Sequence, residues 1–230
     1  MMKTLIATVL LGILPFAAPA EAAVLQNGQP ADFESGALIP DATASLFRLS
    51  DAIETTFHTR ELPAGAYTMW WVFFDLPENC IDGCGVDDLE NEAVSPSVFW
   101  ASGDIVEADG IGNFEASVGL GELPDKYDQV LFGDGLQDPF GTEVHTIVRW
   151  HGPASDNPDL LEQQLTTFNG GCATPDNPDG FQCADLQSVA FTAVSDTAAV
   201  PEPSMLLSLL TLATVGTGSA LKRRLSSRLS

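Results

Sequence analysis

Between residues 53 and 60 the chain alternates without a break: Ile53, Thr55, Phe57 and Thr59 are interleaved with Glu54, Thr56, His58 and Arg60. A period of two puts one set on each face of a pleated strand, and a helix would scatter both sets around its circumference. The apolar residues of such a chain must therefore be gathered by packing sheets. Leu62-Pro63-Ala64-Gly65 supplies a turn, and residues 67–74 follow with Trp70, Val72 and Phe74 on one face and Trp71 and Phe73 on the other. Bulk on both faces predicts a central strand covered from both sides, with its aromatics in a core rather than on a sugar-binding platform. Residues 98–106 and 111–120 flank Asp109-Gly110, a hairpin signal, and further strands are expected over 143–150 and 186–194. Asp156-Asn157-Pro158 before residues 159–165 combines a capping residue, a proline at the first turn and early acids, which predicts one short helix. The expectation is an all-β fold: an antiparallel β-sandwich or a partly closed barrel, with one short helix.

The two ends have a different character. Lys3, an apolar stretch over residues 5–16 and the small residues Ala18-Pro19-Ala20 or Ala20-Glu21-Ala22 form the three parts of a secretory signal, assigned to residues 1–23. At the other end Pro201-Glu202-Pro203 precedes 17 mostly apolar residues, 205–221, and then Lys222-Arg223-Arg224. That run is near the lower limit for a spanning helix, and the basic cluster would stay on the cytoplasmic side. The alternative is an ordinary single-pass anchor. Pro201, Glu202 and Pro203, the apolar helix and the cluster Lys222, Arg223 and Arg224, in that order over residues 200–230, resemble the PEP-CTERM sorting signal. The resemblance implies an exosortase-type partner that removes the tail at the inner membrane. It also implies export to the cell surface or extracellular space, in bacteria that make exopolysaccharide. Residues 24–199 remain as one extracytoplasmic domain. Its segments 66–74, 143–153 and 168–172 resemble uncharacterised secreted bacterial β-rich proteins, and no activity comes with that likeness.

Charge narrows the partners. Residues 24–199 hold four basic residues, Arg48, Arg60, Lys126 and Arg149, against thirty acidic ones, a formal charge of −26. Such a surface repels phosphate backbones, which excludes nucleic acid, and it suits solvation or a cationic partner. The cysteines are Cys80, Cys84, Cys172 and Cys183. In an oxidising compartment an even set predicts disulfides, here the local pairs 80–84 and 172–183, each closing a turn-rich loop. A four-cysteine zinc site is the rival; its second pair is too widely spaced.

Chemistry is sparse. On a strand from residue 143, Glu143, His145, Ile147, Arg149 and His151 share a face, readable either as a cleft wall or as a solvated exterior. The candidate metal ligands are Glu143 and His145, joined by His58 from another strand, because His145 and His151 stand about 20 Å apart on an extended chain. Structural calcium is a further candidate, at Asp82, Asp87 and Asp88, at Asp134 and Asp138, or at Asp176 and Asp179, although none has EF-hand spacing. No nucleophile elbow, dinucleotide fingerprint or phosphate loop is present, and acids are too numerous to single out a glycosidase pair. The expectation is a non-catalytic surface or matrix protein without a cofactor. The alternatives are a carbohydrate- or calcium-binding module, or a metal-dependent enzyme built on the 143–145 strand.

Overall fold

The computed structural model describes residues 23–194. The expected signal segment up to residue 22, the motif Pro201-Glu202-Pro203, the apolar run 205–221 and the basic cluster Lys222-Arg223-Arg224 lie outside the described residues. Among the described residues no helix is long and apolar enough to cross a membrane. The strands are β1 (Val24–Gly28), β2 (Ala31–Asp32), β3 (Thr43–Arg48), β4 (Ala52–Thr59), β5 (Gly65–Phe74), β6 (Pro96–Val106), β7 (Gly112–Gly119), β8 (Val130–Phe132), β9 (Glu143–Trp150) and β10 (Ala184–Phe191). The helix α1 (Pro158–Thr166) lies between β9 and β10. They form two antiparallel sheets, ordered β1-β3-β4-β7 and β2-β10-β9-β5-β6-β8. The partly closed barrel considered from the sequence is not formed, because each sheet keeps two free edge strands.

The alternation in β4 places Ile53 and Phe57 inward, in one cluster with Leu46 of β3 and with Phe114 of β7, the cross-strand partner of Phe57. These meet Met69, Trp71, Phe73, Phe99, Val144 and Val148 from the six-stranded sheet in one apolar core. Each such side chain contributes about 1.5–3 kcal/mol on burial, which is what holds the sheets together. Every position of β5 is buried, as its two-faced aromatic pattern predicts. Its second face, Trp70, Val72 and Phe74, joins Val94 and Val98 in a smaller core on the outer side of the six-stranded sheet. Loops covering that side make up the difference: the Cys80–Cys84 loop, Leu89 and Phe168 pack against it.

Two sequence expectations are corrected. The Asp109-Gly110 turn does not make a hairpin, since β6 pairs with β5 and β8 while β7 pairs with β4 in the other sheet. The left-handed Gly110 (φ 70°) turns the chain across the core instead. A turn signal reports the reversal and says nothing about which sheet receives the next strand. Strand β3 is the other case: no strand was expected there, and its last inward residue is a fully buried arginine. Arg48 donates from Nε to Gln26 Oε1 (2.6 Å), from Nη1 to the carbonyls of Pro139 and Thr142 (2.6 and 2.9 Å) and from Nη2 to those of Phe191 and Thr192 (3.3 and 3.1 Å). All five guanidinium donors are satisfied, so the fork ties the four-stranded sheet to the ends of the other. Burial lowers its pKa to about 10, opposed by the charges of Asp138 and Glu143, and it stays protonated at neutral pH.

Candidate functional site

The outer side of the six-stranded sheet collects the chemistry-bearing residues. Strand β9 turns Val144 and Val148 into the main core and leaves Glu143, His145, Ile147 and Arg149 on the outer side. That side is not a solvated exterior. Arg149 lies with its guanidinium carbon 4.0 Å from the Phe168 ring centroid, donates from Nε to the Phe168 carbonyl (3.0 Å) and pairs through Nη1 with Asp185 (2.7 Å). His145 meets Phe74 edge to face at 5.1 Å, and its Nε2 lies 2.8 Å from Glu143 Oε1. The structure therefore brings Glu143 and His145 together. It does not bring His58, which projects from the exposed face of the other sheet and bonds Asn113 Oδ1 through Nδ1 at 2.7 Å. Two sheets and the core between them separate His58 from the other two proposed ligands.

His151, one residue beyond β9, is fully buried beneath the loop that follows α1. Its Nδ1 lies 2.9 Å from the Gly170 carbonyl, which can only accept, so Nδ1 carries the proton. Nε2 then accepts from the Thr68 hydroxyl (2.8 Å), which itself accepts from the Trp70 indole N–H (2.7 Å). Burial pushes the imidazole down to about 4, the Gly170 hydrogen bond opposes this, and the Arg149 charge adds to it. Ligand atoms of His151, Cys172 and Cys183 lie within 4.8 Å of one another, the spacing of a three-ligand metal site. Both sulfurs, however, are spent in a Cys172–Cys183 disulfide, and the first pair is likewise joined as Cys80–Cys84. With no thiolate to offer, the cluster is a hydrogen-bonded clamp rather than a metal centre. Sequence spacing alone does not reveal that His151 meets this disulfide, because Gly170 and Thr68 come from distant segments.

The acidic loops separate into distinct roles. Asp88 is buried and accepts from the backbone N–H groups of Ile81 and Gly85 (3.3 and 3.0 Å), which shapes the Cys80–Cys84 loop from inside. Asp87 and Asp82 are exposed beside it, as are Asp176 and Asp179 in the second disulfide loop. Asp138 caps its own turn by accepting from the Phe140 N–H (2.9 Å). The loop from Asp134 to Asp138 folds over Asp75, a residue sequence reasoning passed over. Asp75 is 8% exposed, and its Oδ1 accepts from the Thr142 hydroxyl (2.5 Å) and the Gln137 N–H (3.2 Å). Its Oδ2 is buried with no partner. Burial raises its pKa, the two hydrogen bonds act against this, and the nearby charges of Asp138 and Asp134 reinforce it.

The same side carries an apolar pocket of about 130 Å³. Trp70, Val72 and Val98 form its floor, Ile147 and Phe168 one wall, and Leu131 and Phe132 of the edge strand β8 another. Val86 stands at the rim, 65% exposed. No sequence signal marks this pocket, since its walls come from β5, β6, β8, β9, β10 and three loops. No protein-family model matches the chain, and neither a curated protein nor a solved structure matches it.

Proposed function

We propose that the chain is a non-catalytic protein exported to the cell surface or extracellular matrix and processed at its PEP-CTERM-like tail by an exosortase-type enzyme. The observation that carries this reading is the Cys172–Cys183 disulfide closed against neutral His151. It commits the three potential ligands His151, Cys172 and Cys183, grouped within 4.8 Å among the described residues, to holding the fold, and it fits an oxidising compartment. Arg149 and the Glu143–His145 pair are committed in the same way to structural contacts. The order Pro201-Glu202-Pro203, apolar run, Lys222-Arg223-Arg224 supports the route, and the excess of acid supports solubility outside the cell. The test is the mass and location of the chain in cells with and without an exosortase. A shortened, released form that appears only with the enzyme, and disappears in Pro201→Ala/Pro203→Ala, is expected. A tail retained in both strains, or a cytoplasmic chain with reduced cysteines, sinks the proposal.

A calcium-binding module is the second reading, favoured by the unpartnered Oδ2 of Asp75 under the Asp134–Asp138 loop. A hard cation would satisfy that oxygen and neutralise the two neighbouring charges. Millimolar calcium then raises the melting temperature of the oxidised domain and Asp75→Asn abolishes the rise; an unchanged melting curve removes calcium from consideration.

A further inference from the structure

The apolar pocket on the outer side of the six-stranded sheet has a partner chemistry written around its rim. We propose that it docks a basic polypeptide segment. One aliphatic or small aromatic side chain of the partner sits on Trp70, Val98 and Phe168, and the partner's lysines or arginines meet the surrounding acids. The volume, about 130 Å³, is close to that of an engineered apolar cavity of about 150 Å³ that holds benzene, so it takes one side chain and not an extended lipid tail. The rim supplies the charge. Val86, Leu89 and Phe33 line the pocket, and beside them in the chain stand the exposed Asp87, Glu90 and Glu34. Residues 75–92, which build the loop on that side, include seven acids and no basic residue. Arg149 is already committed to Asp185 and Phe168, both of which line the pocket.

Rigidity supports docking over collapse. The Cys80–Cys84 bond and the two backbone N–H groups held by Asp88 keep Ile81 and Val86 at the surface, 77% and 65% exposed, rather than folding them over the floor. An apolar patch ringed by like charge selects against anionic lipid surfaces and for a cationic, apolar-anchored chain. This inference stands whether or not the tail is processed, since it rests only on the described domain.

The experiment titrates the full-length oxidised chain with three labelled peptides. The first is glycine- and lysine-rich with a single central leucine. The second has glycine in place of that leucine, and the third has glutamates in place of the lysines. The first is expected to bind at least about tenfold more tightly than either control, the range for burying one aliphatic side chain. Val86→Asn and Leu131→Ser, both at exposed positions, are expected to weaken it by a similar factor while leaving the melting temperature unchanged. Equal binding of the peptide without leucine reduces the effect to bulk charge and overturns the proposal. Equal binding of the glutamate peptide, or displacement of the first peptide by phosphatidylcholine vesicles, overturns it as well.

Discussion

His151 shows how a single residue can be ambiguous in sequence and decided in three dimensions. Read along the strand it is one more polar group on a face with Glu143 and His145; in the fold it is neutral, buried and held at both nitrogens. Because its folded pKa of about 4 lies below the ordinary value of 6.5, the unfolded chain binds the extra proton first. Its stabilising contribution is therefore complete above about pH 6.5 and is lost as the pH falls toward 4. The loss is on the order of 3 kcal/mol. Asp75, whose pKa is raised, acts with the opposite sign, since its folded form retains a proton that the unfolded chain gives up. Urea unfolding of the oxidised domain from pH 7 to 4.5, compared with His151→Asn, isolates the imidazole: the wild type loses stability steeply and the variant, less stable at pH 7, shows a flatter profile. Parallel profiles would mean that His151 is charged in the native state.

Elements were legible where a local pattern also describes the tertiary environment. Strands β4, β5 and β9 alternate or carry bulk on both faces because one or both faces meet a core, and α1 begins where Asn157 accepts from the N–H groups of Asp159 and Leu160 (3.0 and 3.4 Å). Strands β1, β2, β3 and β8 were not legible. Two are very short, and β3 turns Arg48 inward and Phe47 outward, the reverse of what hydropathy predicts. The seat of α1 was equally hidden. Its buried Gln164 accepts from the Ser155 N–H (2.9 Å) and donates to the carbonyls of His151 and Pro153 (3.1 and 3.0 Å), and the Trp100 indole donates to the Leu165 carbonyl (2.9 Å). The helix lies so close to β6 that a Cβ on Gly103 would collide with that carbonyl. Gly103→Ala is expected to push α1 away and cost about 1–3 kcal/mol, seen as a lower urea midpoint and a red-shifted Trp100 emission. An unchanged midpoint would mean that the helix tolerates displacement and contributes little to the fold.

At the scale of the whole molecule, the class of fold follows from periodicity, but the partition of strands between two sheets does not. The sharpest instance is the turn after β6, where a hairpin signature carries the chain from one sheet to the other. The candidate pocket shares this origin: it exists only because loops from either end of the domain converge on the second face of β5. The same convergence sets an order in time. The last strand, β10, sits between β2 and β9, and the carbonyls at its end, Phe191 and Thr192, complete the cradle of Arg48. A chain made N-terminus first thus has its second strand, β2, and its buried cation waiting on nearly its final folded segment. Completion of the native state waits on residues 191 and 192, almost the last of the described residues, so a chain cut short anywhere before them leaves a buried charge without its full set of acceptors.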